Sequence, residues 1–402
     1  MRPVFFPPRL AALAAVAGLV LTAAAAAPAS AAADTESSRP TPGQARWQQD
    51  LDAATRDAHA VSIVAQVRDG RNRKPWTGSS GVRELGKKAP VPVDGRFRIG
   101  SVTKMFTSTV VLQLVGEGRL GLDDPIERHL PGLIPNSTGI TVRTLLNQRS
   151  GLPEYGLAVM PNTNTDAGLR EWNTTARWRT FTPRELVTAA VGDGTAAHPG
   201  LPRRNAPGAG FYYSNTNYVL AGMLITKLTG EDFRTQIERR IVRPLGLEHT
   251  TFPGASKTIP GRHAHDYARI DGTDVDISVQ SSSWANAAGE AISTTEDLDR
   301  FGRALFGGNL LRPAERRELT APATSTNGSV YGLGVFSQTL SCGVQVWGHD
   351  GDVYGHNTQF FTSGDRTLTV STALRESPAL LDGQTAAAEK VIDDVFCAPP
   401  TK

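Results

Sequence analysis

Cysteine is almost missing from this chain. Only Cys342 and Cys397 occur among 402 residues, which excludes a disulfide-laced scaffold and makes a poor zinc site. Charge of one sign is missing too: 42 basic residues face 39 acidic ones. Removing Arg2 and Arg9 leaves 40 against 39, a net charge of +1. Without a basic excess or stripe, no nucleic-acid partner is expected. The 40 glycines and 26 prolines follow no fixed period, so no solenoid or collagen repeat is present. After Asp34 no apolar run is long enough to span a bilayer, and no stable membrane anchor is expected. What remains is ordinary globular composition, 39% hydrophobic and 20% charged, enough for one large or two moderate domains.

The N-terminus has its own pattern. Arg2 and Arg9 precede an apolar, alanine-rich stretch over 10–27, closed by Pro28 and a run of small residues ending at Ala33. Residues 1–33 therefore read as a secretory signal peptide with an Ala-x-Ala site. A membrane anchor is the alternative, and the weak hydrophobicity argues against it. A secreted chain places its two cysteines in an oxidising compartment, where two make a pair. Two buried free thiols are the other reading. Closing a loop of 397 minus 342, or 55, residues would stabilise by roughly 4 kcal/mol in the chain-entropy model.

Hydrophobic periodicity sets the rest. A helical pattern covers 47–58, and Val61, Ile63, Ala65 and Val67 alternate as a strand does. A turn and a second strand follow within 71–92. Phe97 and Ile99 lead into Gly100 and Ser101, then into a helix apolar on all sides and ended by Gly116 and Gly118. Short helices separated by Pro and Gly occupy the middle, at 142–146, 183–191 and 215–228. Residues 160–180 have no clear period and read as a surface excursion. Strand candidates return at 344–346, 359–361 and 368–370, before a closing helix over 385–396. This order predicts an α/β (α+β) protein: an antiparallel β-sheet flanked by helices, with an inserted mostly helical lobe. The expected boundaries are 34–130 with 285–397 for the sheet domain and 131–284 for the lobe.

Three short motifs carry chemistry. Ser101 and Lys104 form a Ser-x-x-Lys at the head of the buried helix, and a spacing of three puts both side chains on one face. A desolvated lysine can be neutral enough to take the serine proton, and unpaired N–H groups of the first turn can face developing negative charge. Alone, this is also what a helix cap followed by a surface lysine looks like. Tyr213 and Asn215 form a Tyr-x-Asn before the apolar helix at 215–228. A tyrosine beside a positive lysine loses its proton more easily and can relay it, while the Asn215 amide can orient a substrate carbonyl. A core tyrosine and an asparagine cap are the plainer account. His349, Asp350 and Gly351 follow a strand over 343–348; Gly351 permits close backbone approach, and His349 can assist proton transfer. His198-Pro199-Gly200 has no strand before it and reads as loop. His263 and His265 lack carboxylate or cysteine partners at ligand spacing, so neither a metal nor a cofactor is expected. Lys88 stands where a phosphate loop over 81–87 needs Ser or Thr, and no Gly-x-Ser-x-Gly elbow exists. Gly332 and Gly334 read as a tightly packed strand.

These three motifs in this order resemble the penicillin-recognising serine hydrolases: the secreted serine D-alanyl-D-alanine carboxypeptidases, the class C β-lactamases and related esterases. Similarity extends over 97–122, 140–152, 207–230, 241–252, 283–305, 331–351 and the last helix. The resemblance implies acylation of Ser101, proton movement by Lys104 and Tyr213, and His349 in a place usually held by Lys or His. It implies an oxyanion hole from the N–H groups of Ser101 and Asp352, Trp284 near the pocket, and a Cys342–Cys397 disulfide. A small-molecule or peptide substrate follows: a D-alanyl peptide, an ester or a β-lactam.

The chain departs from the carboxypeptidases where they hold a substrate's terminal carboxylate. Phe336, Asp350 and Asp352 stand in place of an arginine and two threonines. Like charges about 4 Å apart repel by roughly 1 kcal/mol in water, so a free carboxylate should bind poorly. Three readings follow from this: a D-alanyl-D-alanine carboxypeptidase; an esterase, D-amino-acid amidase or β-lactamase of the same fold; and a β-lactam sensor that acylates without turnover.

Overall fold

Alternating side chains build the main sheet. In the strand Ser62–Arg68, Ile63, Ala65 and Val67 enter one apolar cluster. Gln66 and Arg68 reach Thr295 and Asp299 on the opposite face. Neighbouring Phe360 and Phe361 likewise enter separate clusters on the two faces. The computed structural model describes residues 40–57, 60–70, 74–321, 324–326, 329–364, 366–376 and 390–397. The leader expected at 1–33 lies outside them. Among the described residues no helix is long and apolar enough to cross a membrane.

The sheet has eight antiparallel strands. Across it run Trp76–Gly81, Ser62–Arg68, Arg366–Ala373, His356–Ser363, Gln345–Val353, Phe336–Thr339, Ser329–Tyr331 and Thr324–Thr326. The earliest strands thus pair with the last, Ala65 opposite Val370. One face is covered by helix Pro42–Asp57 and the helical residues 390–396, whose Leu51, Val391 and Val395 pack on Phe361 and Leu368. The disulfide Cys342–Cys397 is present, with Cα atoms 5.6 Å apart, and ties that last helix to a sheet turn. The start of the helix expected at 385 lies outside the described residues.

Helix Thr103–Gly116 is buried nearly all round: apolar residues fall on most of its sides, and Lys104, Thr107 and Ser108 are hydrogen-bonded within the protein. Phe106 stacks on Phe301 of helix Thr295–Gly307 with ring centroids 3.7 Å apart. That second helix is capped by Thr294 and lies on the sheet through Gly302. A Cβ at Gly302 would stand 1.9 Å from the Phe360 ring.

Several expectations need correction. His349-Asp350-Gly351 does not follow a strand; it lies inside one, Gln345–Val353. Residues 160–180 are not an excursion. Thr165 caps helix Asp166–Thr174, and Leu169 and Trp172 are fully buried against Ala268 and Ile277. Nine residues burying one face give too few apolar repeats to read as a period. The middle of the chain also holds a hairpin, Tyr267–Ile270 with Thr273–Asp276, paired in parallel with Arg375–Glu376. Gly332 and Gly334 occupy a turn between strands, not a strand, although the tight packing holds: a Cβ on Gly334 would stand 2.4 Å from Ser108 Oγ.

Two substitutions test this packing. Gly302→Ala forces a methyl into the Phe360 ring and should lower unfolding free energy by roughly 1–3 kcal/mol. Replacing both cysteines by serine should lower it by roughly 2–5 kcal/mol. Urea melts followed by tryptophan fluorescence check both, and unchanged midpoints would refute them.

Candidate active site

Ser101 lies in a one-turn 3-10 segment, Gly100–Val102, between the short strand Phe97–Arg98 and the buried helix. The turn leans on the strand Gln345–Val353 where its neighbour Phe336–Thr339 has ended, since the last pair between those strands is Gly348 with Phe336. Only glycine allows this approach. Gly100 has φ +49°, and a Cβ there would stand 2.7 Å from the Asp352 nitrogen. A Cβ on Gly351 would stand 2.0 Å from the Ile99 oxygen and 2.9 Å from the Ser101 nitrogen. The amides of Ser101 and Asp352 are thereby brought to one place.

Ser101 is half-buried and open to a cavity, while Lys104 is fully buried behind it. Lys104 Nζ lies 2.8 Å from Ser101 Oγ, 2.7 Å from Asn215 Oδ1 and 2.9 Å from the Ala288 oxygen. Burial lowers the amine to about 7, against the opposing pull of Glu154 and Asp350. A neutral amine has two N–H donors and one lone pair. Asn215 and Ala288 offer only acceptors, so they take both donors, and the lone pair is left for the serine hydroxyl.

Tyr213 OH donates to Ser101 Oγ at 2.8 Å. Contrary to the expectation of an acidic tyrosine, burial raises its pKa well above the usual phenol value, and the charges of Asp350 and Glu154 push the same way. The lysine expected to acidify it is itself pushed toward its neutral form by burial, and the buried phenol keeps its proton. Asn215 precedes helix Thr216–Thr229 but does not cap it; its side chain serves Lys104 instead.

His349 is buried with both ring nitrogens engaged. Nδ1 is 2.5 Å from the Asp350 carbonyl oxygen, which only accepts, so Nδ1 carries hydrogen. In the neutral ring Nε2 then accepts from Tyr331 OH at 3.0 Å. Its described hydrogen bonds reach neither Ser101 nor Tyr213. The ring stands 6.3 Å from that of Tyr213, centroid to centroid.

The cavity, about 480 Å³, is floored by Ser101, Tyr213 and Asn215. Phe211, Tyr331 and Phe336 give it an aromatic wall, and His349, Asp350 and Asp352 a polar one. None of the described lining residues is a lysine or an arginine. Burial works against charge on Asp350, but contacts with His349 and the nearby Lys104 outweigh it and hold that carboxyl below its usual value. The Asp352 carboxyl, hydrogen-bonded by Asn357, is pushed up to about 6 by desolvation at the cavity wall and by Asp350. Trp284 does not line this cavity. Its backbone oxygen accepts from Tyr155 OH at 2.5 Å, and its ring packs on Tyr354.

Sequence reasoning missed Glu154 and Tyr331. Glu154 accepts the Asn215 N–H at 2.5 Å and the Gly156 N–H at 3.0 Å, fixing the residue that fixes Lys104. It stands 61 residues from Asn215, and no local pattern announces it. Among the described residues no cluster of His, Cys, Asp or Glu suits a metal ion.

Comparison with known proteins finds relatives over most of the chain. The Beta-lactamase family model matches residues 47–390. Penicillin-binding protein 4* of Bacillus subtilis (strain 168) is 26% identical over 306 residues, covering 73% of this chain. Protein flp of Staphylococcus aureus (strain MW2) is 29% identical over 228 residues, covering 55% of it. The matches span 63% and 41% of those two proteins' own lengths. Among solved structures, a D-stereospecific amidohydrolase from Streptomyces sp. is 36% identical with a TM-score of 0.75, over 88% of this chain and 98% of that one. The D-amino acid amidase from Ochrobactrum anthropi SV3, complexed with D-phenylalanine, is 27% identical with a TM-score of 0.75, over 89% and 100%. With Ser101 on a turn against a sheet edge, a buried lysine behind it and a family match over most of the chain, this protein belongs to the Beta-lactamase family of serine acyl hydrolases.

Proposed function

We propose that the protein is a secreted amidohydrolase acting through an acyl-enzyme on D-amino-acid amides or peptides that carry a free amine. The observation that carries the reading is the Lys104 amine, desolvated and within 2.8 Å of Ser101 Oγ. Ser101 Oγ bonds to the acyl carbon, and its proton passes to the Lys104 lone pair. The negative charge on the substrate oxygen is met by the Ser101 and Asp352 amides. Tyr213, which keeps its proton at rest, hands it to the departing nitrogen, and the proton that Lys104 took from Ser101 then passes to the phenolate. Water then repeats the sequence, releasing the acid and restoring the serine. His349 and Tyr331 hold the wall of the cavity, and Asn215 directs Lys104.

Charge favours an amine over a carboxylate. Asp350 and Asp352 face the cavity, and none of the described lining residues is a lysine or an arginine that would oppose them, which supports attraction of an ammonium group. The solved amidohydrolase and amidase that resemble the chain point the same way. The carboxypeptidase reading needs a cation for the terminal carboxylate, and Phe336 stands where one was expected. Release of D-alanine from a D-Ala-D-Ala peptide faster than ammonia from D-phenylalanine amide would restore it. Export is supported by the leader pattern and by the disulfide.

Ser101→Ala should abolish covalent labelling by a fluorescent penicillin while the thermal midpoint stays unchanged. Lys104→Ala and Tyr213→Phe should each slow acylation at least about 10²-fold. The base form of Lys104 exists above its pKa, so kcat/KM should rise with pH through about 7. A rise centred near the value of an ordinary lysine would count against the neutral amine. Asp350→Asn and Asp352→Asn should each raise KM for D-phenylalanine amide about tenfold, equivalent to roughly 1.4 kcal/mol, and leave KM for an uncharged acyl ester within about threefold. Because Asp352 gains its proton below about 6, binding of the cationic amide should weaken as pH falls through that value. Equal KM changes for both substrates would remove the amine-binding role.

A further inference from the structure

A second hydrogen-bonded triad lies away from the cavity. His356 Nδ1 is 2.8 Å from Asp266 Oδ1, and Nε2 is 2.9 Å from Ser371 Oγ. All three residues are buried: His356 is 3% exposed, Asp266 0% and Ser371 5%. The carboxylate only accepts, so Nδ1 carries hydrogen and Nε2 accepts from the Ser371 hydroxyl in the neutral ring. Substrate cannot reach Ser371 through packed protein, so a second nucleophile is excluded.

Its placement gives the triad another role. The His356 ring stacks on Phe97, centroids 5.6 Å apart and planes 9° apart, four residues before Ser101. The backbone of His356 pairs with Val353 across a hairpin, and the next pair is Asp352 with Asn357. One imidazole therefore touches the strand that delivers the Ser101 amide and belongs to the hairpin that delivers the Asp352 amide. On the same strand Thr358 Oγ1 donates to the Arg98 carbonyl at 3.2 Å, a second tie between the two arms.

The far end of the relay is held firmly. The Asp266 N–H donates to Ser278 Oγ at 3.0 Å, and the Asp266 carbonyl accepts from the Ile277 N–H at 2.8 Å. Gly355, at φ +79°, lets the hairpin turn close on Asp266: a Cβ there would stand 2.8 Å from Asp266 Cβ. Ser371 belongs to the next strand, Arg366–Ala373, and pairs with Thr358. The ring is thus fixed from two independent sides.

We propose that His356, held by Asp266 and Ser371, is a positioning residue that sets the spacing between the Ser101 and Asp352 amides. The inference rests on the reading of those amides as the oxyanion hole. Loss of the imidazole frees the hairpin to shift relative to the nucleophile turn, which weakens charge stabilisation without changing what the cavity walls bind.

The test compares the full-length protein with His356→Ala, His356→Asn and Ser371→Ala. The measurements are kcat and KM on D-phenylalanine amide and an uncharged ester, Kd for phenylboronic acid, and the thermal midpoint. Phenylboronic acid forms a tetrahedral adduct on a serine oxygen and places an oxygen in the hole, so its affinity reports the hole directly. His356→Ala should lower kcat about 10²-fold with KM within about threefold, and weaken phenylboronic acid by a similar factor. His356→Asn keeps an N–H toward Asp266 and should recover at least about tenfold of that loss. Ser371→Ala should fall between the two. If His356→Ala does not fold, the other two variants carry the measurement. Unchanged kcat and boronate affinity per folded molecule in the variants, with only a lowered thermal midpoint, would overturn the proposal and leave a structural role. A wild-type protein that turns over neither substrate would overturn the function proposed above, while boronate affinity would still decide the positioning role.

Discussion

The arrangement of the site depends on one lysine amine buried without a salt-bridge partner. A charged ammonium in packed protein is costly, and the cheaper state is the neutral amine. Lys104 reaches that state with every hydrogen-bonding position matched: two acceptors from Asn215 and Ala288, and a hydroxyl from Ser101. Glu154 and Asp350 lie near enough to oppose the shift but not to cancel it. The lowered pKa of Lys104 is therefore made by the helices packed around it, and a change that admits water there would raise it again.

A second constraint is how closely two backbones meet. Gly100 and Gly351 let the nucleophile turn lie against an open stretch of sheet edge, and a methyl at either would collide with the other strand. The carbonyl of Ala288 comes from the turn Asn286–Gly289, next to Glu290, which is fully buried and paired with Arg234. Asn286 itself sits at φ +44°. The geometry around Ser101 and Lys104 is thus supported by backbone, with side chains holding that backbone in place.

Much of the fold was legible because its signals are local. Helices 142–146 and 183–191, the strand at Ile63 and the buried helix after Ser101 follow from periodicity alone. The helix at Asp166–Thr174 was not, since it buries only one short face. Between 324 and 339 the strand read at Gly332 and Gly334 is a turn, and the strands around it are three or four residues long, too short to show alternation. At the site, Ser101, Lys104, Tyr213 and Asn215 stood in short motifs, whereas Glu154 and Tyr331 belong to none. His349 was assigned a proton-moving part; in three dimensions its nitrogens are already occupied by Asp350 and Tyr331.

The sequence by itself determined which groups exist and which lie one helical turn apart: a hydroxyl, an amine three residues on, a phenol before a helix, and two carboxylates around a glycine. Those are consequences of covalent order and helical spacing. Only the tertiary structure decided the state of each group. Burial lowered the amine's pKa and kept the phenol protonated, while cross-strand neighbours set the imidazole's hydrogen bonds. Those effects depend on atoms that are distant in the chain and adjacent only after folding, so no window of sequence contains them.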